Sequence, residues 1–285
     1  MSETRTHHTQ TTNPERQKPR VTGFVNLALK VSDLEGARDF FDRCGASCGA
    51  IESWEGSRRC DVILGNTLIT LFEKALYEDT VSLPHDCFLH AVFSVEDLDS
   101  ALEALRSSGP VHIVWGPGEV KGSFGHRRIV FLEAPGSIRI ELMQQLEHPD
   151  TGARAPQGLG VTRVLHVSVN TAGKLETTKK FYEEIVGLPS TYRPDIPGVP
   201  GNWHQVGNIQ LHLVGASLSG EEIDPNATHF CLGVTDIEKA VSWLEAHQVS
   251  YLRGVQNNQG RQVTQIWFTD PAGNVVELQE DNGLS

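Results

Sequence analysis

Three residues of this chain have the types and placement to hold a divalent metal: His166, His229 and Glu277. Two imidazoles and a carboxylate on separate predicted strands are the donors of an open metal site, one that keeps coordination positions for a substrate. Their separations are 63 and 48 residues, too wide for a short motif. What singles them out is a partial second copy upstream, Asn26, His90 and Glu141, with separations of 64 and 51 residues.

The elements that position them repeat. Val21–Val31 alternates as a half-buried strand, with Val25, Leu27, Leu29 and Val31 on one side and Asn26, Ala28 and Lys30 on the other. Ser32-Asp33-Leu34 then supplies N-cap chemistry for a helix through Ala37, Phe40 and Phe41 that stops at Gly45. Strands follow around Cys60–Leu64 and Leu68–Phe72, completing a βαβββ unit. The unit restarts at Phe88–Val95, at Val164–Val169 and at His229–Val234; the third copy has a helix Leu175–Val186 ended by Gly187. Val31-Ser32-Asp33-Leu34, Val95-Glu96-Asp97-Leu98 and Val234-Thr235-Asp236-Ile237 occupy one position in three units, and Ala134-Pro135-Gly136 and Asp270-Pro271-Ala272-Gly273 form one turn in both pairs. The expected fold class is α+β: four βαβββ modules paired two by two. The expected organisation is a disordered tail over residues 1–20, a first domain over 21–145 with a degenerate site, a linker over 146–160 and a second domain over 161–281 with the metal site.

Counting from the helix-opening aspartates and the turn prolines puts Asn26 opposite His166, His90 opposite His229, and Glu141 opposite Glu277. In the third unit Leu165, Val167 and Val169 should face the core, and His166 and Ser168 a cleft. A buried Glu277 needs a partner, and a cation supplies one. His212 lies five residues after Gly207, as Thr70 lies five after Gly65; it is a fourth ligand, a substrate contact or general base, or a packing residue.

Composition bounds the rest. The 285 residues suffice for two domains, with 39% hydrophobic and 21% charged residues. A net charge of -12 argues against a nucleic-acid partner. Neither a membrane span nor a secretory signal is evident. Five scattered cysteines (Cys44, Cys48, Cys60, Cys87 and Cys231) read as reduced thiols, which points to the cytoplasm.

With these residues in place, the chain from about 21 to 281 resembles the vicinal oxygen chelate superfamily, which includes glyoxalase I, extradiol dioxygenases, fosfomycin-resistance transferases and bleomycin-resistance proteins. The local likeness to glyoxalase-like proteins runs through Phe181-Tyr182, Gly187-Leu188-Pro189, Arg193-Pro194-Asp195, Pro200-Gly201-Asn202-Trp203 and Asp270-Pro271-Ala272-Gly273-Asn274. The resemblance implies paired modules forming cupped mixed sheets, and metal ligands at His166, His229 and Glu277. It also places His212 where glyoxalase I and methylmalonyl-CoA epimerase carry an additional ligand.

The number of protein ligands selects the reaction. Three leave room for a chelating substrate and dioxygen, the logic of two-His-one-carboxylate iron(II) oxygenases. Four leave two adjacent positions, suited to glyoxalase- or epimerase-like proton transfer with nickel, zinc or manganese. The leading expectation is a dioxygenase-type reaction with Fe(II) on a small oxygen-chelating molecule, although Trp267 replaces the extradiol tyrosine and argues against simple catechol cleavage. Metal-free drug sequestration, which in bleomycin-resistance proteins usually goes with a homodimer, is the third reading. His212 and Gln265 are the expected catalytic residues; Arg193, Trp203 and Trp267 are the expected substrate contacts. Arg193, Trp203 and His204 are expected in a Pro/Gly-rich loop over the pocket, Arg193 holding a substrate carboxylate or making a surface salt bridge. Arg261 is expected to line the pocket, and His85 and His126 to lie on the surface.

Overall fold

A computed structural model describes residues 18–122, 125–147 and 157–283. The tail expected at 1–20 and the linker expected at 146–160 fall largely outside these. In the first half the strands are β1 (Val21–Lys30), β2 (Ser47–Cys48), β3 (Glu52–Trp54), β4 (Ser57–Leu64), β5 (Thr67–Phe72), β6 (Cys87–Val95), β7 (His112–Gly122), β8 (Gly125–Ala134) and β9 (Ile138–Gln145). Its helices are α1 (Leu34–Arg43) and α2 (Leu98–Ser108). The second half has β10 (Val161–Asn170), β11 (Ser190–Thr191), β12 (Gly201–Val206), β13 (Ile209–Val214), β14 (His229–Val234), β15 (Leu252–Asn258), β16 (Arg261–Thr269) and β17 (Val275–Glu280). Its helices are α3 (Leu175–Lys180), which continues as a π-helix over Phe181–Val186, and α4 (Ile237–Ala246).

Two mixed sheets result, with the order β2-β4-β5-β1-β6-β9-β8-β7 (β3 pairing with β4) and β11-β12-β13-β10-β14-β17-β16-β15. This is the α+β arrangement of paired βαβββ modules. The helix-opening aspartates act as caps: Asp33 accepts from the Gly36 N–H, Asp97 from Ser100, and Asp236 from Glu238 and Lys239. The third unit lacks such an aspartate, and the N-cap of α3, Lys174, makes no side-chain capping bond among the described residues. Its expected single helix changes to π geometry at Phe181 and stops at Gly187, whose φ of 85° suits a glycine.

Each helix drives its apolar stripe into one core that is continuous through both halves. Leu34, Ala37, Phe40 and Phe41 of α1, Leu98 and Leu105 of α2, Tyr182 and Val186, and Ile237 and Leu244 of α4 all belong to it. Burying one such large side chain is worth about 1.5–3 kcal/mol. The halves also touch through backbone: Asn66 donates to the Thr162 carbonyl at 2.6 Å, and Leu159 to that of Cys44 at 3.0 Å. At Gly65 (φ 62°) a Cβ would meet Thr162 O at 2.4 Å, so that crossing requires glycine. Among the described residues no helix is long and apolar enough to cross a membrane.

The simple alternation expected of β1 and β10 is broken by register shifts at matching places in both, one of which adjoins Asn26 and His166. The β1–β6 register shifts between Phe24 and Leu27, and the β10–β14 register shifts between Val164 and His166. Val25 therefore joins the apolar cluster on the sheet's other face, and Leu165 lines a cavity wall instead of the core. A bulge beside the ligand position re-aims the side chains that follow it, and both copies carry one.

Candidate metal centre

His166, Arg193, Trp203, His212, His229, Gln265, Trp267 and Glu277 all line one cavity of about 540 Å³ in the second half. The central strands bring them together. Ser168 of β10 pairs with His212 of β13 on one side and with His229 of β14 on the other, and Cys231 pairs with Glu277 of β17. Because side chains alternate along a strand, His166 and His229 emerge on the face that Glu277 also reaches.

The Nε2 atoms of His166 and His229 each lie 3.1 Å from Oε2 of Glu277. On its other oxygen, Oε1, Glu277 accepts from the amides of Gln265 and Gln279, both at 2.6 Å. Burial by itself would raise the Glu277 carboxyl, but the imidazoles of His166 and His229 hold it well below its usual range. Burial lowers the His166 imidazole against the pull of Glu277, keeping it toward the neutral form that a ligand needs.

The tautomer of His229 shows what suits this arrangement. Its Nδ1 lies 2.7 Å from the Ala227 carbonyl, which only accepts, so Nδ1 carries a proton and Nε2, 3.1 Å from the Glu277 carboxylate, is the nitrogen that shares a proton or a cation with it. Two buried imidazoles flanking one oxygen of a buried carboxylate, with the outer nitrogen of one imidazole and the outer carboxylate oxygen both pinned, is the support expected around a divalent ion. The donor set therefore fits such an ion.

His212 is placed differently from the triad. Its ring stacks on His166 at 3.9 Å and 22°, and on Trp203 at 3.9 Å and 4°. Two imidazoles stacked nearly parallel do not aim lone pairs at one ion, because neighbouring ligands approach a metal from directions at right angles. The Nε2 of His212 donates to Gln210 Oε1 at 3.0 Å, and burial holds the ring well below its ordinary pKa, hence neutral.

Other expectations change. Trp203 and His204 belong to β12, not to a covering loop: Trp203 faces the cavity, whereas His204 is fully buried on the opposite side, near the Tyr182 ring, with Nε2 accepting from Asn202. Arg193 donates to the carbonyls of Pro194 and Val199 and so staples its own loop. Gln265 acts through Glu277, which makes it a positioning residue. Arg261 lines a second cavity of about 420 Å³ that shares His166, Trp203, His212, Gln256 and Gln279 with the first. His85 is exposed, while His126 is only partly so and pairs with Glu119 at 2.9 Å.

Two contributors were missed in the sequence, Gln279 and Cys231. Each is two residues beyond a candidate ligand on the same strand, so period-two counting from Glu277 and His229 would have found them. The Cys231 Sγ, a His166 nitrogen and a Glu277 oxygen lie within 4.8 Å of one another. Burial holds that thiol well above its ordinary pKa, so it stays protonated.

Residues 163–278 match the model of the Glyoxalase/Bleomycin resistance protein/Dioxygenase superfamily, a span that contains the whole triad. Glyoxylase I 4 of Arabidopsis thaliana is 26% identical over 125 residues, covering 42% of this chain and 71% of its own length. The fold is similar to that of a Mn(II)-bound glyoxalase from Novosphingobium aromaticivorans, with a TM-score of 0.68 and 12% identity over 92% of this chain and 83% of that one. It is also similar to a variant of homoprotocatechuate 2,3-dioxygenase from Brevibacterium fuscum, with a TM-score of 0.66 and 16% identity over 95% and 75% of the two chains. The C-terminal half of the chain is thus similar to the glyoxalase/bleomycin resistance protein/dioxygenase superfamily, and both halves share the fold of these solved structures.

Proposed function

We propose that this chain is an enzyme of the dioxygenase type, with Fe(II) held by His166, His229 and Glu277 and a small oxygen-chelating molecule as substrate. The observation that carries this reading is the stacking of His212 between His166 and Trp203, which leaves three protein ligands instead of four. When bound, a divalent iron with three protein ligands supplies adjacent positions for a chelating substrate and dioxygen. Gln265 and Gln279 fix the Glu277 carboxylate so that one oxygen faces the ion. His212 is neutral and buried beside the triad, with Nε2 committed to Gln210, so its Nδ1 is the nitrogen left to accept a substrate proton. Trp203 holds that ring in place from its other face.

Similarity to the Arabidopsis Glyoxylase I 4 and to the Mn(II)-bound glyoxalase supports a second reading, proton transfer at a four-ligand site. That reading requires His212 to leave its stack. Oxygen uptake by the iron(II)-loaded protein, with catechols, 2-oxo acids and 2-hydroxy acids as probes, separates the two. The oxygenase reading expects stoichiometric oxygen consumption with one probe class. Turnover that persists without oxygen in nickel-, zinc- or manganese-loaded protein would overturn it. A third outcome, under about a tenth of an equivalent of metal after gentle purification, would favour sequestration.

A further inference from the structure

Three buried side-chain nitrogens in the wall of the main cavity have no acceptor among the described residues: Arg193 Nε, Gln256 Nε2 and Trp267 Nε1. All three are N–H donors. Buried donors are almost always paired, so three unpaired ones around one cavity need an explanation. They come from both ends of the sheet: Arg193 follows β11, Gln256 lies on the opposite end strand β15, and Trp267 on its neighbour β16.

Their positions are built in. The Trp267 ring lies against Gly254, where a Cβ would come within 2.8 Å of it, and Arg193 Nε lies 3.0 Å from where a Cβ on Gly201 would be. Gly254 makes room for the benzo edge of the Trp267 indole, and Gly201 for the Arg193 Nε itself. The acids in the same wall do not match these donors. Glu277 is committed to two imidazoles and two glutamines, and Asp195 is exposed, with no ion pair to Arg193 among the described residues. Ile196, Val199 and Val255 supply apolar wall around them.

We propose that the substrate carries, besides its chelating oxygens, a carboxylate that seats among Arg193, Gln256 and Trp267, joined to the chelating end by an apolar body. The proposal rests on reading this cavity as the substrate site. Charge supports an anion over a neutral acceptor, because among the described residues the Arg193 guanidinium donates only to backbone carbonyls in its own loop. A carboxylate takes two or more N–H donors at once, and charge-assisted bonds of this kind are about twice as strong as neutral ones.

Calorimetric titration of the full chain with phenylacetate and with its neutral isostere phenylacetamide tests this, in zinc-loaded protein and again after chelator treatment. The acid is expected to bind about tenfold or more tightly than the amide in both forms. Arg193→Met and Trp267→Phe should erase that preference, and Gln256→Glu should turn it against the acid, with zinc content and circular dichroism unchanged. Trp267→Phe keeps the ring and guards against a misfolded Arg193 variant. Equal affinity for acid and amide, no saturable binding of the acid, or an intact preference in Trp267→Phe and Gln256→Glu would overturn the proposal. The readout involves no turnover, so a protein that consumes no oxygen sinks the dioxygenase reading and leaves this result standing.

Discussion

The two cups of this molecule share a strand register and differ in what fills it. In the first, Ala28 pairs with Thr70 and His90, Val92 with Glu141, and Phe131 with Glu141. In the second, the same positions are Ser168, His212 and His229, then Cys231, Glu277 and Trp267. The partners that hold Glu277, Gln265 and Gln279, correspond to Ile129 and Met143, which pair with each other and join the apolar cluster of the first cup. His90 and Glu141 remain 3.3 Å apart, but Tyr77 bonds the His90 Nδ1 at 3.0 Å, and Tyr77 and Phe131 pack on the imidazole. A cavity of about 20 Å³ is left there, against about 540 Å³ in the second cup. The first cup thus keeps a His–Glu pair in a packed interior, and the second adds to that pair a further imidazole, two glutamines behind the carboxylate and an open volume.

The largest expected effect breaks this contrast at the ligands. His229→Ala should leave less than about a tenth of an equivalent of bound metal and no activity, while His90→Ala keeps both at the wild-type level. Elemental analysis of the two purified variants decides it, and loss of metal only in His90→Ala would show that the wrong cup has been chosen.

A smaller effect is expected from installing the first cup's residues in the second. Gln265→Ile and Gln279→Met remove the donors on Glu277 Oε1 and should each weaken metal affinity about 10–100-fold with the fold intact. Competition against a chelator measures this; unchanged affinity in both variants would mean that Glu277 needs no orientation. His212→Thr, which copies Thr70, should change metal affinity less than either. A loss equal to that of His229→Ala would make His212 a fourth ligand.

A last effect, on stability and not on metal, concerns the turn before the last strand, where Asp270 stands opposite Ala134 of the first half. Burial pushes the Asp270 carboxyl up to about 6, against hydrogen bonds from Ala272 and Asn274 that favour its charged form. A carboxyl whose folded pKa is raised binds more protons folded than unfolded. Its contribution to stability is therefore greatest at low pH and falls as pH rises from about 4 to 6, by up to roughly 3 kcal/mol. Thermal melts of wild type and Asp270→Asn should differ by an amount that shrinks across that window. A pH-independent difference would assign the residue a purely geometric role.

Much of this was legible in the chain. Helix caps at Asp33, Asp97 and Asp236 and the repeated Pro-Gly turns have local causes, so one stretch of sequence suffices to read them. Period-two alternation and the internal repeat then placed His166, His229 and Glu277 on one face. Other features have no local cause. The bulges before Leu27 and His166 arise from pairing with β6 and β14, and they moved Val25 and Leu165 to the other face. The stacking of His212 between His166 and Trp203 depends on three strands meeting across the sheet.

The sequence by itself determined the repeated α+β units, the His-His-Glu set and its partial copy, because caps, turns and alternation are set by neighbours along the chain. Only the tertiary structure decided that His212 stacks on His166, that two glutamines hold Glu277, and that one cup is packed and the other open. Those outcomes depend on contacts between residues up to 111 positions apart, such as His166 and Glu277, whose geometry is fixed only when the strands pair.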